Sequence, residues 1–342
     1  MTNKIRNQKS KIRIRRANQL DKRIVLDFCK HTFGRWGDYL PEVWDEWVKD
    51  RKGIFFVATL GQSGSSRRSL SRAPLGCISA GSTLLTTGPL DDRSQGARDS
   101  GAMLEAGRPV GVGKITVQRP GEIWLEGLRV DPKLRGHKIG RGIQDWSWKW
   151  ALSKRPRFIR YATGSYNKIS QHLGMSMGMR LIAGFDEYTA RPLAKKETAL
   201  VRSSKAELDA LLRLFQKDKD AANWKGLFLQ SWSAWEFDRE ALAGLVRQKR
   251  VYSLHDDRGL AGAVAILRSK DGKYFNYCRA AARDNRTYKN ILREGRALAH
   301  LLGAKRLEMH LPKSARNRRL VRGTGWRRPM DIWMVILEKR FW

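Results

Sequence analysis

Acidic residues are scarce in this chain: 33 Asp and Glu stand against 68 Lys and Arg over 342 residues, a formal charge of +35. Cysteine is scarcer still. Cys29, Cys77 and Cys278 are widely separated and odd in number, which argues against a disulfide framework or zinc knuckle and for a reduced, cytoplasmic setting. No metal site is expected. Long apolar runs are missing as well. "GLAGAVAIL" (259–267) is strand-sized, well short of the roughly 18 residues a membrane helix needs. The basic opening "MTNKIRNQKSKIRIRRA" contains no apolar stretch, so it does not read as a signal peptide, and no membrane association is expected.

What is present suffices for a packed core. Hydrophobic residues make up 41%, which excludes wholesale disorder, and the length suits two ordinary domains. The charge is evenly spread. Residues 195–342 hold 33 basic against 16 acidic residues, or +17, which leaves +18 for the remainder. A field of this sign attracts RNA or another polyanion, although net charge alone defines no site.

Periodicity orders the chain into two similar halves. After a basic tail (1–10), a strand in 11–21 precedes helices in 22–33 and 35–50, then a strand over 53–60. Residues 61–108 are rich in Gly, Ser and Arg and show neither helical nor strand period. They read as a flexible insertion between two strands, because "PVGVGKITVQ" (109–118) resumes β character. A strand (122–130), turn (131–139), helix (140–153), strand (157–163), helix (167–177) and strand (179–190) follow. Residues 198–342 repeat this order: strand, helix, a hairpin turned at Asp257-Arg258-Gly259, strand, a long helix over 286–304, strand, basic segment, strand. The expectation is a mixed α/β fold of two tandem units, each a splayed, mostly antiparallel sheet with helices on both faces. Domains of 11–192 and 198–342 would be joined around 191–197.

The most informative stretch is "LEGLRVDPKLRGHKIGRG" (125–142). A strand carrying one carboxylate, Glu126, runs into Asp131-Pro132 and then a glycine-bearing basic turn that opens a helix. Unpaired amides and the positive helix end favour phosphate. Gly136 and Gly140 let backbone approach closely, while Arg135, Lys138 and Arg141 add charge. The same features also fit an ordinary strand-to-helix connection. A lone carboxylate inside a strand needs a partner, or an amine to deprotonate.

"WLEGLRVDPKLRGHKIGRG" resembles the acetyl-coenzyme A motif of the Gcn5-related N-acetyltransferase (GNAT) superfamily, in which an acid-bearing strand ends in V-D-P before an R-G-x-G-x-G loop. "ATGSYNKISQHLGMSMGM" (162–179) is similar to the family's next motif. The resemblance covers residues 11–190 apart from the insertion. "F.RWGDYLPEVWDEW" also looks like a subgroup related to histidine-acetylating members. The resemblance implies that acetyl-CoA is the cosubstrate and that a primary amine attacks it directly, without a covalent enzyme intermediate. The backbone of Leu128, Arg129 and Val130 would pair with pantetheine. Residues Arg135, Gly136, His137, Lys138, Ile139 and Gly140, with Arg141, would hold the pyrophosphate, and Asn167 would face the cofactor arm. Glu126 would be the general base. Two departures stand out: Lys138 replaces the loop's middle glycine, and the family's acid tyrosine falls at Gly174. Thiolate protonation then passes to water, Tyr166 or His172. Asp38, Tyr39 and Glu42 are candidates for the amine side.

Other features read as packing or solvation. Trp146, Trp148 and Trp150 alternate over two faces of one helix. "PKSARNRRLVRGTGWRR" (312–328) carries seven basic residues and no acid, a solvated face by default and, with Trp326, the best nucleic-acid patch in the chain. The second half has no R-G-x-G-x-G turn, since "RAAARDNRTYKN" lacks glycine, so it is expected to be degenerate in cofactor binding. The alternative to an enzyme is a nucleic-acid- or ribosome-associated binding protein on a catalytically weakened acetyltransferase scaffold.

Overall fold

The computed structural model describes residues 12–33, 37–60, 107–269 and 273–341. Almost all of the 61–108 insertion, and Cys77 with it, lies outside them. In chain order, β1 (Ile12–Arg16) leads to α1 (Lys22–Cys29), α2 (Leu40–Lys49) and β2 (Ile54–Leu60). Next come β3 (Pro109–Arg119), β4 (Glu122–Val130), α3 (Ile139–Leu152), β5 (Phe158–Gly164), α4 (Lys168–Met175) and β6 (Arg180–Ala190). The second half holds β7 (Val201–Arg202), α5 (Leu208–Lys217), β8 (Leu227–Gln230), β9 (Ser233–Glu236), α6 (Arg239–Arg247), β10 (Val251–Asp256) and β11 (Gly259–Arg268). It closes with β12 (Tyr274–Ala282), α7 (Asn285–Leu301), β13 (Arg306–Pro312), α8 (Ala315–Val321), β14 (Trp326–Arg327) and β15 (Trp333–Arg340). The β8–β9 hairpin and α6 fall in a stretch, 219–249, that is assigned no element from sequence, although Leu242, Leu245 and Val246 of α6 are buried at helical spacing.

Two compact units emerge: Met1–Ile115 with Gly127–Trp150, and Thr116–Glu126 with Ala151–Trp342. In the first, β2 pairs antiparallel with β1 and with β3, Ile12 opposite Leu60 and Ile54 opposite Ile115. The strands flanking the insertion are therefore hairpin partners. Strand β2 is buried on both faces, because it is covered on both. Phe55 packs edge-on against Trp44 and Trp47 of α2, while Phe56 meets Trp146 of α3 at 4.7 Å. Burying aromatics of this size supplies much of the unit's stability.

In the second unit the sheet runs β4-β5-β15-β6-β13-β12-β11-β10-β7. The final strand of the chain, β15, lies between β5 and β6 and pairs antiparallel with both. On its other side β6 pairs antiparallel with β13. The end of the second half thus completes the sheet begun in the first half. Phe185, Trp224, Tyr277, Trp326 and Ile336 share one core cluster, and Phe215, Phe228 and Leu242 another. Arg160, itself buried, donates to Glu122 at 2.9 Å and to Glu338 at 2.7 Å. Deleting one partner of such a buried pair costs about 3–5 kcal/mol.

Candidate active site

Glu126 sits half-buried near the middle of β4, and the Thr116 hydroxyl on β3 donates to its Oε1 at 2.5 Å. Thr116 was not singled out from sequence. The signal for it was the tight Pro120-Gly121 turn, which brings β3 back alongside β4. Strand β4 pairs parallel with β5 over Glu122–Trp124, opposite Phe158–Arg160; Glu126 lies beyond that ladder.

In the first unit the strand continues from Gly127, whose φ of +67° and closeness to the Trp47 ring leave no room for a side chain. After β4, Asp131 caps the Pro132–Leu134 turn by accepting from the Lys133 amide at 3.0 Å. Gly136 (φ +83°) and Lys138 (φ +61°) both take the left-handed conformation. Glycine adopts it freely, but lysine there costs roughly 1–2 kcal/mol. A Cβ at Gly136 would meet nothing within 4 Å. The Gly142 amide donates to the Lys138 carbonyl at 3.0 Å, so the amides of Ile139, Gly140 and Arg141 precede the first helical donor of α3 and have no acceptor within the helix. His137 braces the turn through Nδ1, 3.2 Å from the Leu134 carbonyl and 3.1 Å from that of Arg135. Arg135 and Lys138 are exposed, whereas Arg141 pairs with Asp145 at 2.9 Å. The turn therefore offers amides and positive charge on an open face.

Arg129 turns inward. Its Nε donates to Asp38 at 2.9 Å and its Nη1 to the Leu128 carbonyl at 3.1 Å, and the guanidinium lies over the Phe33 and Tyr39 rings. Burial works against this charge, but Tyr39 and Asp38 beside it hold the guanidinium above its ordinary value. Asp38 also accepts from the Leu40 amide at 3.0 Å. Its carboxylate is thus engaged by Arg129 and the start of α2, while Tyr39 and Glu42 are exposed. The buried Cys29 lies near Asp38, and burial, followed by that carboxylate, pushes its thiol up to about 12. A thiol so held is a poor nucleophile at neutral pH.

In the second unit Asn167 is the N-cap of α4, its Oδ1 accepting from the Ser170 amide at 3.1 Å. Tyr166 and His172 are exposed. The room beside Gly174 is taken by Tyr161 of β5, whose hydroxyl donates to the Ser170 carbonyl at 2.5 Å. In the segment 312–328, Trp326 is buried and donates from Nε1 to the Leu292 carbonyl at 3.1 Å. It cannot stack on a base there. Arg316 pairs with Asp220, and Arg318 and Arg328 pair with the buried Asp186. Of the seven basic residues in this patch, Arg316, Arg318 and Arg328 are held in ion pairs, while Lys313, Arg319, Arg322 and Arg327 are exposed.

Residues 85–179 match the model of the acetyltransferase (GNAT) family. A search of curated proteins returned no match. Among solved structures, the chain is similar to a GCN5-related N-acetyltransferase from Sphaerobacter thermophilus, at 11% identity and a TM-score of 0.58, over 96% of this chain and 95% of that one. It is similar also to a tandem GNAT protein from the clavulanic acid biosynthesis pathway, at 12% identity and a TM-score of 0.52, over 96% and 98%. The fold is one shared with GCN5-related N-acetyltransferases, a tandem GNAT protein among them, and the match to the family model lies in residues 85–179. Acyl transfer is the general chemistry of that family; neither structure bears on the histidine-acetylating subgroup. Among the described residues, no helix is long and apolar enough to cross a membrane, and no His, Cys, Asp and Glu cluster could hold a metal.

Proposed function

We propose that the chain transfers the acetyl group of acetyl-CoA to a primary amine by direct attack, with residues 11–192 as the catalytic domain. The observation that carries this reading is the turn after β4, where left-handed Gly136 and Lys138 present the first amides of α3 just downstream of Glu126. Residues 135–141 suit the pyrophosphate through backbone N–H groups, with Arg135 and Lys138 adding charge. The backbone of Leu128, Arg129 and Val130 would hold the pantetheine arm, with Asn167 facing it. Bound acetyl-CoA supplies a thioester.

Glu126, oriented by Thr116, takes the proton of the attacking amine. The new bond joins the amine nitrogen to the acetyl carbon as the C–S bond breaks, and the departing thiolate receives its proton from water, Tyr166 or His172. Tyr39 and Glu42 line the amine side, and Asp38 acts there by positioning Arg129. The inert Cys29 thiol supports direct attack over a covalent intermediate. Residues 198–342 form a companion without a cofactor turn of its own. Asp284 caps α7 by accepting from the Thr287 amide at 2.8 Å, which puts a carboxylate where a phosphate would have to sit.

A panel of primary amines incubated with radiolabelled acetyl-CoA tests the reading. Turnover should appear with at least one amine and drop roughly 10²-fold in Glu126→Gln at neutral pH. A Glu126→Gln enzyme with full rate across the pH range would remove Glu126 from this role. The binding-protein alternative draws no support from Trp326, which is buried rather than free to stack on a base.

A further inference from the structure

A second polar cluster lies in the second unit, on the adjacent strands β6 and β13. His310 is directly opposite Glu187 in the antiparallel register, and Glu308 is two residues before His310, so the three side chains share one face. His310 Nε2 is 3.9 Å from Glu187 Oε2, and His310 Nδ1 is 3.6 Å from Glu308 Oε1. Both separations exceed hydrogen-bonding distance. The imidazole is fully buried, and neither ring nitrogen has a hydrogen-bond partner among the described residues. A buried polar side chain in that condition needs an explanation. Asn276 of β12 donates from Nδ2 to Glu308 Oε1 at 3.4 Å and adds a side-chain Oδ1 that is likewise buried and without a partner.

The two carboxylates keep 15% and 26% of their side-chain surface, so the cluster opens to solvent through them. Trp232, at the turn between β8 and β9, stands edge-on to His310 with ring centroids 6.3 Å apart. On a chain of +35, a cluster of two carboxylates and a neutral imidazole is an exception that calls for a cation. Burial holds His310 toward its neutral form, which leaves one ring nitrogen as an acceptor. An ammonium group has three N–H donors, and the cluster presents three acceptor groups: two carboxylates and an imidazole lone pair.

We propose that Glu187, Glu308 and His310 form a binding site for the primary ammonium group of an organic cation. The site does not depend on acetyl transfer and needs no acetyl-CoA. The titratable groups around Glu187 are His310, Glu308 and Arg306. Burial first, then Glu308, pushes the Glu187 carboxyl up to about 7, with Arg306 pulling the other way. A cation favours the ionised carboxylate, so its affinity rises as pH climbs through about 7.

Calorimetric titration of the full chain with butylammonium chloride tests the site, with n-butanol and tetramethylammonium as controls lacking the charge and the N–H donors respectively. Saturable binding of butylammonium alone is expected, tighter at pH 8 than at pH 6, and weakened at least tenfold in Glu187→Gln and in Glu308→Gln. Asp257→Asn, at the distant β10–β11 turn, should leave it unchanged. The proposal is overturned by absent binding, by tetramethylammonium binding equally well, or by full affinity in a Glu187→Gln/Glu308→Gln double variant that melts like wild type.

Discussion

Tyr161 sets its ring and hydroxyl against the bare backbone of Gly174, and the same hydroxyl donates to the Ser170 carbonyl. One residue of β5 thereby fills the space in which family resemblance would place a tyrosine from the helix. Burial raises the Tyr161 phenol above its ordinary value, in keeping with a packed, hydrogen-bonded group. Gly174→Ala should therefore overpack the site and cost about 1–3 kcal/mol in urea unfolding. Tyr161→Phe in the same chain should return part of that loss, since the colliding oxygen is gone. Equal stability of Gly174→Ala and wild type would show that the contact is slack.

The turn after β4 can be probed without disturbing the fold. A Cβ on Gly140 meets only Val130 Cγ2, at an ordinary 3.6 Å. Gly140→Val should fold normally yet lose coenzyme A affinity by about 2–3 kcal/mol, the worth of one or two charge-assisted hydrogen bonds. Lys138→Gly should raise stability by roughly 1 kcal/mol through relief of its left-handed backbone. It should keep coenzyme A affinity within a few-fold, because the amide remains. Calorimetry with coenzyme A reads both; a valine at 140 that binds as tightly as glycine would make the turn a mere connection.

Glu187 has a signature in stability as well as in binding. Its folded carboxyl titrates at about 7, above its ordinary value of 4.5, so the folded state holds a proton that the unfolded chain has released. The stability linked to that proton is complete below about 4.5 and is lost as pH rises through about 7. Glu187→Gln keeps the neutral form at every pH. It should gain on wild type by something on the order of 2 kcal/mol between pH 5 and 8, read as a difference in urea midpoints. A difference that does not vary with pH would place the titration elsewhere.

The position of β15 between β5 and β6 makes the end of the chain part of the first half's sheet. Ile336 is fully buried in that strand, and Ile336→Ala should cost about 2–5 kcal/mol. A fragment ending at residue 192 would expose the edges of β5 and β6 to other chains. It should aggregate when expressed alone, and co-expression with residues 198–342 should recover soluble protein. A monodisperse, cooperatively unfolding fragment would count against this account of β15.

Much of this was legible in the sequence because it is local. β character in 109–118 and amphipathic spacing in 286–304 depend on which side chains must leave water, and the strand and helix formed there. Glu126 and the turn after it stood out because glycine and charge at a strand-to-helix junction constrain backbone directly. Even the cost at Lys138 followed from the residue type once a glycine was expected in its place. What the tertiary structure alone decided is what depends on partners far along the chain. Thr116 reaching Glu126, Arg129 claiming Asp38, Trp326 sinking into a core, and β15 entering between β5 and β6 leave no periodic trace. The pairing of His310 with Glu187 spans more than a hundred residues and is set by strand register, which fixes the face each side chain shares and which no single segment encodes.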